Sequence, residues 1–577
     1  MRFVQRAAWL LVACAVIAFS GDAAAARLTV RVEHRWGGAP LLLGETRVAA
    51  DALSVTRLAY LLSRAKLQRE DGSWIGSGDW FAFLDVESGR TAFTLGNVPA
   101  GEYAALRFDL GLDPTADSSD PAQREAGHPL HPDMNGLHWG WRGGYVFLAI
   151  EGRIGAAGGY SYHLSGEACR GTIEVPAELD LTGGDLALTL VFDVARIFDA
   201  QHRVDVAAAT STHSRDDGGL AERLADNAVR AFSLLRIEPD AARVDAPVAN
   251  VLPTKVGLVE LRLPPHFPQA NWPTDNLPTA AGVALGRRLF HDPRLSRNDS
   301  QSCASCHDPA LAFADPRPVS LGASGQLGTR NAMPLFNLAW KAAFTWDGRT
   351  PRLREQALAP IQDAHEMGES LDRVVKKLRR DRSYGAAFAS TFGTSEITSE
   401  RLGLALEQFL LTLISADSKF ERGLRGDVPF SDEEKRGLEL FFTESDPARG
   451  IRGADCFHCH GGAHFTNHGF LNNGLDSDAP RRDDGRFRVT QRESDRGKFA
   501  VPSLRNVALT APYMHDGRFA TLEQVIDHYD HGLQPSATLD ANLAKHFATG
   551  GLGLTAEDKR TLIAFLKTLT GSEHSAR

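Results

Sequence analysis

The sequence predicts a multidomain protein with a β-sandwich-like N-terminal domain followed by two mainly helical units of similar construction. A chain of 577 residues is too long for a single hydrophobic core. Short alternating apolar runs fill the first part of the chain, whereas helix-capping signals and an internal repeat mark the second part. The hydrophobic content of 43% is typical of globular protein. The net charge of -9 and the lack of a long Lys/Arg block argue against a nucleic-acid partner.

An export signal is predicted at residues 1–26. The segment begins with two arginines, continues as an apolar run over residues 7–19 and ends in a small-residue cleavage site at 23–26. This run is too short for a membrane span, and no later stretch is long enough to cross a bilayer. Cys14 also fits a lipoprotein processing box, which leaves lipidation as an alternative. We therefore expect a periplasmic protein with no membrane span.

Residues 27–237 are predicted to form the β domain. Apolar and polar residues alternate with period two over Leu28–His34, and further short apolar runs lie at Tyr145–Ile150 and Leu186–Val194. Regularly spaced short strands favour an antiparallel sandwich. Residues 238–271 are then expected to be a linker, because they are rich in proline. The prolines are Pro239, Pro247, Pro253, Pro264, Pro265 and Pro268.

Two helical domains are predicted over residues 272–425 and 426–577. Capping boxes at Ser431–Glu434 and Thr521–Gln524 indicate helix starts, and a final apolar helix begins near Thr555. The two domains resemble each other internally. A G-x-x-L-F motif at residues 286–290 begins 17 residues before Cys303, and a second one at 437–441 begins 19 residues before Cys456. This spacing favours a duplicated unit.

Each unit contains one C-x-x-C-H motif, the first at Cys303, Cys306 and His307 and the second at Cys456, Cys459 and His460. Cysteines at i and i+3 share a helix face and can form thioethers to haem vinyl groups, while the histidine at i+4 can reach the iron. Zinc would need two further ligands in register, and a redox C-x-x-C would not need the trailing histidine twice. The sequence therefore predicts two covalent c-type haems in two cytochrome c-like domains.

The helical half resembles the bacterial di-haem cytochrome c peroxidase family and its MauG-type branch. The resemblance covers roughly residues 270–572, and its matching stretches are Gly286–Asp308, Thr345–Arg349, Phe499–Arg518, Thr521–Tyr529 and Ile563–Gly571. It implies that the first haem meets hydrogen peroxide and that the second stores or relays an oxidising equivalent. It also matches Asn331 to a residue of the family's inter-haem calcium site.

The same resemblance assigns roles around the first haem. Trp346 matches the tryptophan between the haems, while Gln356, Pro360 and Glu366 match the distal pocket, with Glu366 as its acid–base group. A carboxyl beside an open iron can move a proton from the near to the far oxygen of peroxide. Taken alone, Trp346 would be a core aromatic and Glu366 a solvated helix residue. His365 remains a competing acid–base candidate.

The sixth ligands distinguish the branches of the family. The chain has no histidine between His307 and His365, so we expect the first haem to be five-coordinate or water-bound. For the second haem the family position matches Tyr529, where a typical peroxidase has methionine; a core tyrosine is the alternative. A tyrosinate stabilises ferric and higher oxidation states, which favours the MauG-type branch. Met514 and His515 are fallback ligands.

The N-terminal domain resembles the MbnP-like family, periplasmic copper-binding proteins encoded alongside methanobactin genes. The matching stretches are Leu28–Leu43, Ser54–Leu67, His138–Tyr145 with Glu151-Gly152, and Tyr162–Leu164. The resemblance implies copper(I) held by histidines and by a kynurenine that a MauG-type partner makes from tryptophan. Candidate copper ligands are His34, His163 and His138, since imidazole suits copper. The candidate target residues are Trp36, Trp139 and Trp141, and Trp139 and Trp141 could instead be core residues. Cys169 is a soft possible ligand or a buried thiol.

Three functions remain open from the sequence. The first is a peroxide-dependent di-haem oxidase that oxidises a tryptophan, to kynurenine, in its own fused domain and so matures a copper(I) site. The second is a cytochrome c peroxidase that reduces hydrogen peroxide to water with electrons from a small cytochrome or cupredoxin. The third is an electron-transfer or copper-storage protein without turnover. The distal Gln356 and Glu366 disfavour the third, and Tyr529 favours the first over the second.

Overall fold

A computed structural model describes residues 26–45, 52–124, 128–131, 135–138, 144–155, 158–212, 219–240, 259, 267, 270–446, 450–479 and 481–571. The predicted export signal, except Ala26, and most of the predicted linker lie outside these residues. Strand β12, whose bounds follow below, ends at Pro239, two residues beyond the expected end of the β domain. No helix among the described residues has the length and apolar character needed to cross a membrane.

The N-terminal domain consists of two packed sheets, which confirms the predicted sandwich-like fold. Its strands are β1 Ala26–Trp36, β2 Ala39–Pro40, β3 Leu53–Arg69, β4 Trp74–Gly76, β5 Phe81–Asp85, β6 Ala92–Val98, β7 Glu102–Leu110, β8 Val146–Ile154, β9 Gly158–Ser165, β10 Gly171–Asp180, β11 Leu186–Asp193 and β12 Phe232–Pro239. One sheet has the order β12-β11-β1-β2 with β6 also paired to β1. The other has the order β10-β7-β3-β8-β9, with β4 and β5 paired to β3.

Alternation along the strands decides which residues reach the core. In β1 the apolar residues Leu28, Val30 and Val32 are buried while the residues between them are half-exposed. The sequence predicted an antiparallel sandwich, but β1 and β11 pair in parallel. The remaining pairs of both sheets are antiparallel.

The rest of the chain is mainly helical, as expected. Short helices α1 Pro114–Asp117, α2 Ala195–Phe198 and α3 Leu220–Val229 belong to the β domain. The first helical unit contains α4 Ala280–Phe290, α5 Leu353–Gln362, α6 Leu371–Arg379, α7 Arg382–Phe392, α8 Ser399–Leu410 and α9 Lys419–Leu424. The second contains α10 Asp432–Phe441, α11 Phe457–His460, α12 Phe487–Thr490, α13 Leu522–Asp527, α14 Ala541–Ala544 and α15 Ala556–Lys567, together with the two-residue strands β13 Phe470–Leu471 and β14 Phe499–Ala500.

The repeated G-x-x-L-F motif marks a helix crossing in each unit. A Cβ atom on Gly286 of α4 would lie 2.0 Å from the carbonyl oxygen of Ala405 in α8, and one on Gly437 of α10 would lie 1.9 Å from that of Thr561 in α15. Only glycine allows the two backbones to approach this closely. The motif phenylalanines complete the crossings, since the ring centroids of Phe290 and Phe409 lie 5.3 Å apart and those of Phe441 and Phe565 lie 5.1 Å apart.

We predict that Gly437→Ala destabilises the haem-loaded protein by about 1–3 kcal/mol, because the added methyl group forces α10 and α15 apart. Gly385→Ala in α7 is the matched control, since its Cβ would meet only Ser395 Cβ at 3.7 Å. There, removing a helical glycine should be neutral or stabilise by up to ~1 kcal/mol. Thermal unfolding of both variants measures the difference, and equal melting temperatures would contradict the close crossing.

Candidate functional site

The first C-x-x-C-H motif forms a tight turn that orients its histidine. Cys303–Ser305 is a 3-10 helix, and the backbone nitrogen of His307 donates to the Cys303 carbonyl over 3.0 Å. The ring Nδ1 of His307 donates to the carbonyl of Phe313 over 3.0 Å. Burial lowers the pKa of His307, so the ring is neutral. A neutral imidazole whose Nδ1 is held by a backbone carbonyl presents Nε2 as an iron ligand.

The second motif repeats this arrangement. His460 donates from its backbone to the Cys456 carbonyl over 2.9 Å and from Nδ1 to the carbonyl of Phe465 over 3.1 Å. Burial lowers the pKa of His460 to about 4. The loop that supplies this carbonyl is fixed by the buried Arg505, which donates to the carbonyl of Ala463 over 2.6 Å. Both motifs therefore fit a covalently attached haem, with two cysteines and one neutral imidazole on the same turn.

Glu366 lies close to the first motif. Burial raises the pKa of the Cys303 thiol to about 12, and the Glu366 carboxylate adds to this shift. Glu366 is accessible to solvent, yet the surrounding protein desolvates its carboxyl and raises its pKa, with a further contribution from Asp363. The competing candidate His365 is 60% exposed and turns its Nδ1 to Asp363 at 3.4 Å. Of the two, Glu366 is the one whose charge acts on the Cys303 thiol, and its acid–base role stays a prediction.

The other two residues of the predicted distal pocket lie on α5. Gln356 accepts a hydrogen bond from the Thr350 hydroxyl over 2.8 Å. Pro360 lies inside the helix, and its carbonyl accepts from the backbone of Met367 over 3.1 Å, just beyond Glu366. The helix and the turn that follows it therefore carry all three matched residues on one continuous segment.

The loop at residues 319–330, which contains no histidine, is held by a backbone hydrogen bond near its start and by ion pairs at its end. Near its start, Ala323 donates to the backbone carbonyl of Glu366 over 2.7 Å. At its end, Arg330 forms ion pairs of 2.7 Å with both Asp347 and Asp483. These carboxylates belong to different helical units, so Arg330 joins the loop to both of them.

Trp346, which the resemblance matches to the tryptophan between the haems, lies between the two helical units. Its indole Nε1 donates to the carbonyl of Asn331 over 2.8 Å, and its own carbonyl accepts from Ala500 of the second unit over 2.7 Å. Asn331 in turn donates from its backbone to the His515 carbonyl over 2.7 Å and from its side chain to the carbonyl of Pro318 over 3.2 Å. Asn331 therefore lies between the two helical units, while its role in binding calcium stays a prediction.

Tyr529 lies beside the second motif, within a π-helical turn at His528–Gly532 that follows α13. Burial raises the pKa of Tyr529, and the thiols of Cys459 and Cys456 contribute to the shift. The amide of Asn473 lies 3.4 Å from both the Tyr529 hydroxyl and the Met514 sulfur. Tyr529 and Met514 are thus neighbours, whereas the ring of His515 is stacked on Phe499 with centroids 3.7 Å apart.

The β domain docks onto the second motif through the outer face of β8 and β9. The ring of His163 lies against that of His458, the residue between the two motif cysteines, with centroids 5.1 Å apart. Asn542 donates to Glu151 over 3.1 Å, and Arg153 donates to the carbonyl of Leu539 over 2.9 Å. The approach is close, because a Cβ on Gly159 would lie 2.4 Å from the carbonyl oxygen of Ala541.

A buried ion-pair network lies on the motif side of this interface. Lys545 pairs with Glu444 and with Asp455, the latter over 3.2 Å, and His546 hydrogen-bonds Asp455. Burial alone would raise the pKa of Asp455, but Lys545 and His546 hold it below its ordinary value. Sequence reasoning missed this network, because the other members lie far from the motif in the chain or have no recognisable pattern. His458, at a variable position between the motif cysteines, was the one local sequence feature that could have indicated it.

The predicted copper histidines lie in different surroundings. His34 is buried between the sheets, with its Nε2 2.9 Å from the Tyr60 hydroxyl. Register pairs Tyr60 with Leu148 and Leu148 with Leu164, while Ala149 pairs with His163. Alternation therefore puts His163 on the face of the sheet opposite to Tyr60, where its Nε2 lies 2.9 Å from Glu151. The structure does not bring His34 and His163 together.

The remaining candidates are His138, the three tryptophans and Cys169. The ring of His138 contacts that of Tyr145 with centroids 4.7 Å apart, and burial lowers the pKa of His138 to about 4. Trp139 and Trp141 lie outside the described residues. Trp36 is half-buried at the end of β1, and its ring lies 5.5 Å from that of Phe198. Cys169 is buried.

Comparisons with known proteins divide the chain in the same way. The profile of the di-haem cytochrome c peroxidase family matches residues 280–429, and the MbnP profile matches residues 25–214. The methylamine utilization protein MauG of Methylorubrum extorquens is 37% identical over 301 residues, which cover 52% of this chain and 80% of the relative. Cytochrome c551 peroxidase of Nitrosomonas europaea is 34% identical over 292 residues, covering 50% of this chain and 80% of the relative. The crystal structure of a MauG-like protein associated with microbial copper homeostasis shares 36% identity and a TM-score of 0.50, covering 54% of this chain and 96% of that one.

We predict that Tyr529→Phe removes the low-spin ferric signal of the second haem from the EPR spectrum, because the phenolate oxygen is lost as a ligand. The neighbouring Met514→Leu is the matched control and should leave that signal unchanged. Both variants should retain two covalent haems per chain, since all four motif cysteines remain. If Met514→Leu abolishes the signal and Tyr529→Phe does not, methionine is the ligand.

Proposed function

This chain belongs to the di-haem cytochrome c peroxidase family that includes MauG, and we propose that it oxidises a tryptophan of its own N-terminal domain. The oxidant is hydrogen peroxide, the product is kynurenine, and the modified ring completes a copper(I) site. The observation that carries the proposal is the docking of the β domain directly onto the second C-x-x-C-H motif, with His163 against His458. The 36% identity to a MauG-like protein associated with microbial copper homeostasis supports it further.

The residues around His307 suit the activation of peroxide. A haem held by Cys303, Cys306 and His307 would supply an iron for the binding and reduction of peroxide. Glu366 takes the proton from the near oxygen and delivers it to the far oxygen, which leaves as water. A carboxyl with a raised pKa suits this exchange, because it holds and releases a proton closer to neutral pH than an ordinary glutamate does.

The overall reaction balances with two molecules of peroxide. Conversion of tryptophan to N-formylkynurenine takes up two waters and releases four electrons and four protons. Two molecules of peroxide accept these electrons and protons and become four waters. Hydrolysis of the formyl group then releases formate and leaves kynurenine. Trp346, which contacts both helical units, is the side chain through which we propose that electrons pass between the two haem sites.

The docked arrangement favours oxidation within one chain. Glu151 on the outer face of β8 is tied to Asn542 of the second unit and to Arg57 and His163 of its own domain. Burial would raise the pKa of Glu151, but Arg57 and His163 hold it below the ordinary value, so it remains an anion in the interface. The substrate domain is thereby held beside the second motif at high effective concentration.

The proposal also indicates where copper would bind. His34 and Trp36 lie two residues apart on β1 and so project from the same face of the strand. An oxidised ring at Trp36 would therefore lie beside His34, whereas His163 faces the helical unit. We propose His34 as the first histidine ligand.

A di-haem cytochrome c peroxidase is the second candidate, favoured by the 34% identity to cytochrome c551 peroxidase. In that case electrons would come from a small cytochrome or cupredoxin rather than from the protein itself. Either activity is consistent with export to the periplasm, which we propose from the N-terminal segment.

We predict that peroxide adds oxygen to one tryptophan peptide of the N-terminal domain, detected by mass spectrometry of the haem-loaded protein. Glu366→Gln should slow this reaction by about 10²–10⁴-fold, because the proton exchange on peroxide is lost. The neighbouring His365→Gln is the control and should retain the rate. If every N-terminal tryptophan stays unmodified while a reduced small cytochrome is consumed rapidly, the protein is a peroxidase instead.

We predict that Gly159→Leu converts the oxidation from a first-order to a second-order process in protein concentration. The larger side chain clashes with Ala541 and separates the β domain from the second unit. Gly183→Leu is the matched control, because a Cβ at Gly183 has no atom within 4 Å. Stopped-time mass spectrometry over a range of protein concentrations measures the order. First-order kinetics that survive in Gly159→Leu would contradict delivery through this interface.

A further inference from the structure

A chain of aromatic rings extends from the docked strand β9 to Trp36. The ring centroids of Tyr162 and Tyr160 lie 5.3 Å apart, those of Tyr160 and Phe198 lie 5.6 Å apart, and those of Phe198 and Trp36 lie 5.5 Å apart. Tyr160 and Tyr162 are fully buried on the inner face of their sheet. Neighbouring rings are therefore in contact at every step from β9 to the half-buried indole of Trp36.

The same strand contacts the second haem motif on its other face. His163 follows Tyr162 in the chain and lies against His458, with centroids 5.1 Å apart. Alternation along β9 puts His163 outside and Tyr162 inside, so the two groups are separated by the thickness of one strand.

We propose that Tyr162 and Tyr160 relay electrons from Trp36 to the second haem site, and that Trp36 is therefore the oxidised tryptophan. The inference rests on the proposed function and names its target residue and its route. Phe198 lies between Tyr160 and Trp36 and provides electronic contact between them without being oxidised itself.

The groups that accept hydrogen bonds from the Tyr160 and Tyr162 hydroxyls suit an electron relay. Tyr160 donates to the carbonyl of Ser54 over 3.0 Å, and Tyr162 donates to the carbonyl of Ala209 over 2.5 Å. A backbone carbonyl accepts a hydrogen bond but does not take the proton, so an oxidised phenol at either position keeps its proton. Such a protonated radical cation is a stronger oxidant than the neutral radical, so it takes an electron from the next ring in the chain.

Tyr60 shows the opposite arrangement. Its hydroxyl lies 2.9 Å from Nε2 of His34, and burial lowers the pKa of His34 to about 4, which keeps this ring neutral. A neutral imidazole can accept the phenolic proton, so an oxidised Tyr60 would be trapped as a neutral radical. The nearest rings to Tyr60 are His34, Phe192 and Phe232, which are not part of the chain from Tyr162 to Trp36.

The other described tryptophans of the domain fit the role of target less well. The Arg107 guanidinium lies 3.8 Å from the ring centroid of Trp74, and this positive charge opposes the loss of an electron. Trp80 contacts Phe93, with centroids 5.1 Å apart, on the side of the core that leads to Phe108. Neither tryptophan joins the chain of rings that reaches β9.

The relay leaves the tyrosines unchanged overall. In each transfer one electron leaves Trp36, refills Tyr160 and then Tyr162, and reaches the haem site, where it reduces the oxidising equivalent taken from peroxide. The protons released from the indole pass to water, because Trp36 is half-buried rather than enclosed. Four such transfers, with the two waters that enter the ring, complete the oxidation to N-formylkynurenine.

The test compares haem-loaded wild type with the double variant Tyr160→Phe/Tyr162→Phe after mixing with hydrogen peroxide. Both rings keep their packing in the variant but lose the oxidisable phenol. Tyr103→Phe is the matched control, since Tyr103 is also buried and its hydroxyl donates to the carbonyl of Pro99 over 2.6 Å. The readouts are the site of modification by mass spectrometry and the radical seen by rapid-freeze EPR.

We expect wild type and Tyr103→Phe to give a tryptophan radical that is absent in Trp36→Phe, followed by modification of the Trp36 peptide. The double variant should lose both signals while its haem spectrum still responds to peroxide. Phe198→Leu is a second test in case the double variant folds poorly. It removes only the bridging ring and should weaken both the radical signal and the modification of the Trp36 peptide. Modification of Trp139 or Trp141 but not Trp36, or full Trp36 modification in the double variant, overturns the relay and leaves the proposed function standing. No modified tryptophan in wild type overturns both.

Discussion

The close approach of α14 to the outer face of β8 and β9 is the constraint on which the arrangement of this protein depends. It requires glycine at position 159, because any Cβ there would overlap the backbone of Ala541. Around this contact, Glu151, Asp455 and Lys545 are removed from water, which is costly for charged groups unless each has a partner. Each of the three has one, so the interface is specific in geometry and the β domain has a defined position on the second motif.

The two C-x-x-C-H motifs share a local design but differ in what surrounds them. In both, a backbone carbonyl fixes the Nδ1 of the ligand histidine and leaves Nε2 for the iron. The first motif has the carboxylate of Glu366 close enough to act on the Cys303 thiol. The second is covered by the β domain, with His458 buried against His163. In the proposed function, this difference separates the site that would meet the oxidant from the site that would meet the substrate domain.

Sequence patterns predicted what depends on local spacing. They gave both haem motifs, the sandwich-like and helical halves, and the repeated glycine whose helix crossing the structure explains. They did not give the contact of His163 with His458, because it joins residues almost 300 positions apart whose pairing depends on domain docking. They also did not separate His34 from His163, since the two faces of a strand are fixed only by the sheet register. The π-helical turn at Tyr529 was missed for a similar reason, because tertiary packing rather than helix propensity selects it.

The hydrogen-bond partner of each buried phenol decides how that phenol can take part in oxidation. Tyr160 and Tyr162 donate to backbone carbonyls, whereas Tyr60 faces the neutral imidazole of His34. All three lie on the inner face of one sheet, so burial raises the pKa of each in the same direction and does not distinguish them. What distinguishes them is the presence of a proton acceptor, which turns a residue that passes an electron on into one that retains the oxidising equivalent. In the proposed relay, phenols without such an acceptor stay strong oxidants and pass the oxidising equivalent on to the tryptophan, and β9 supplies two of them.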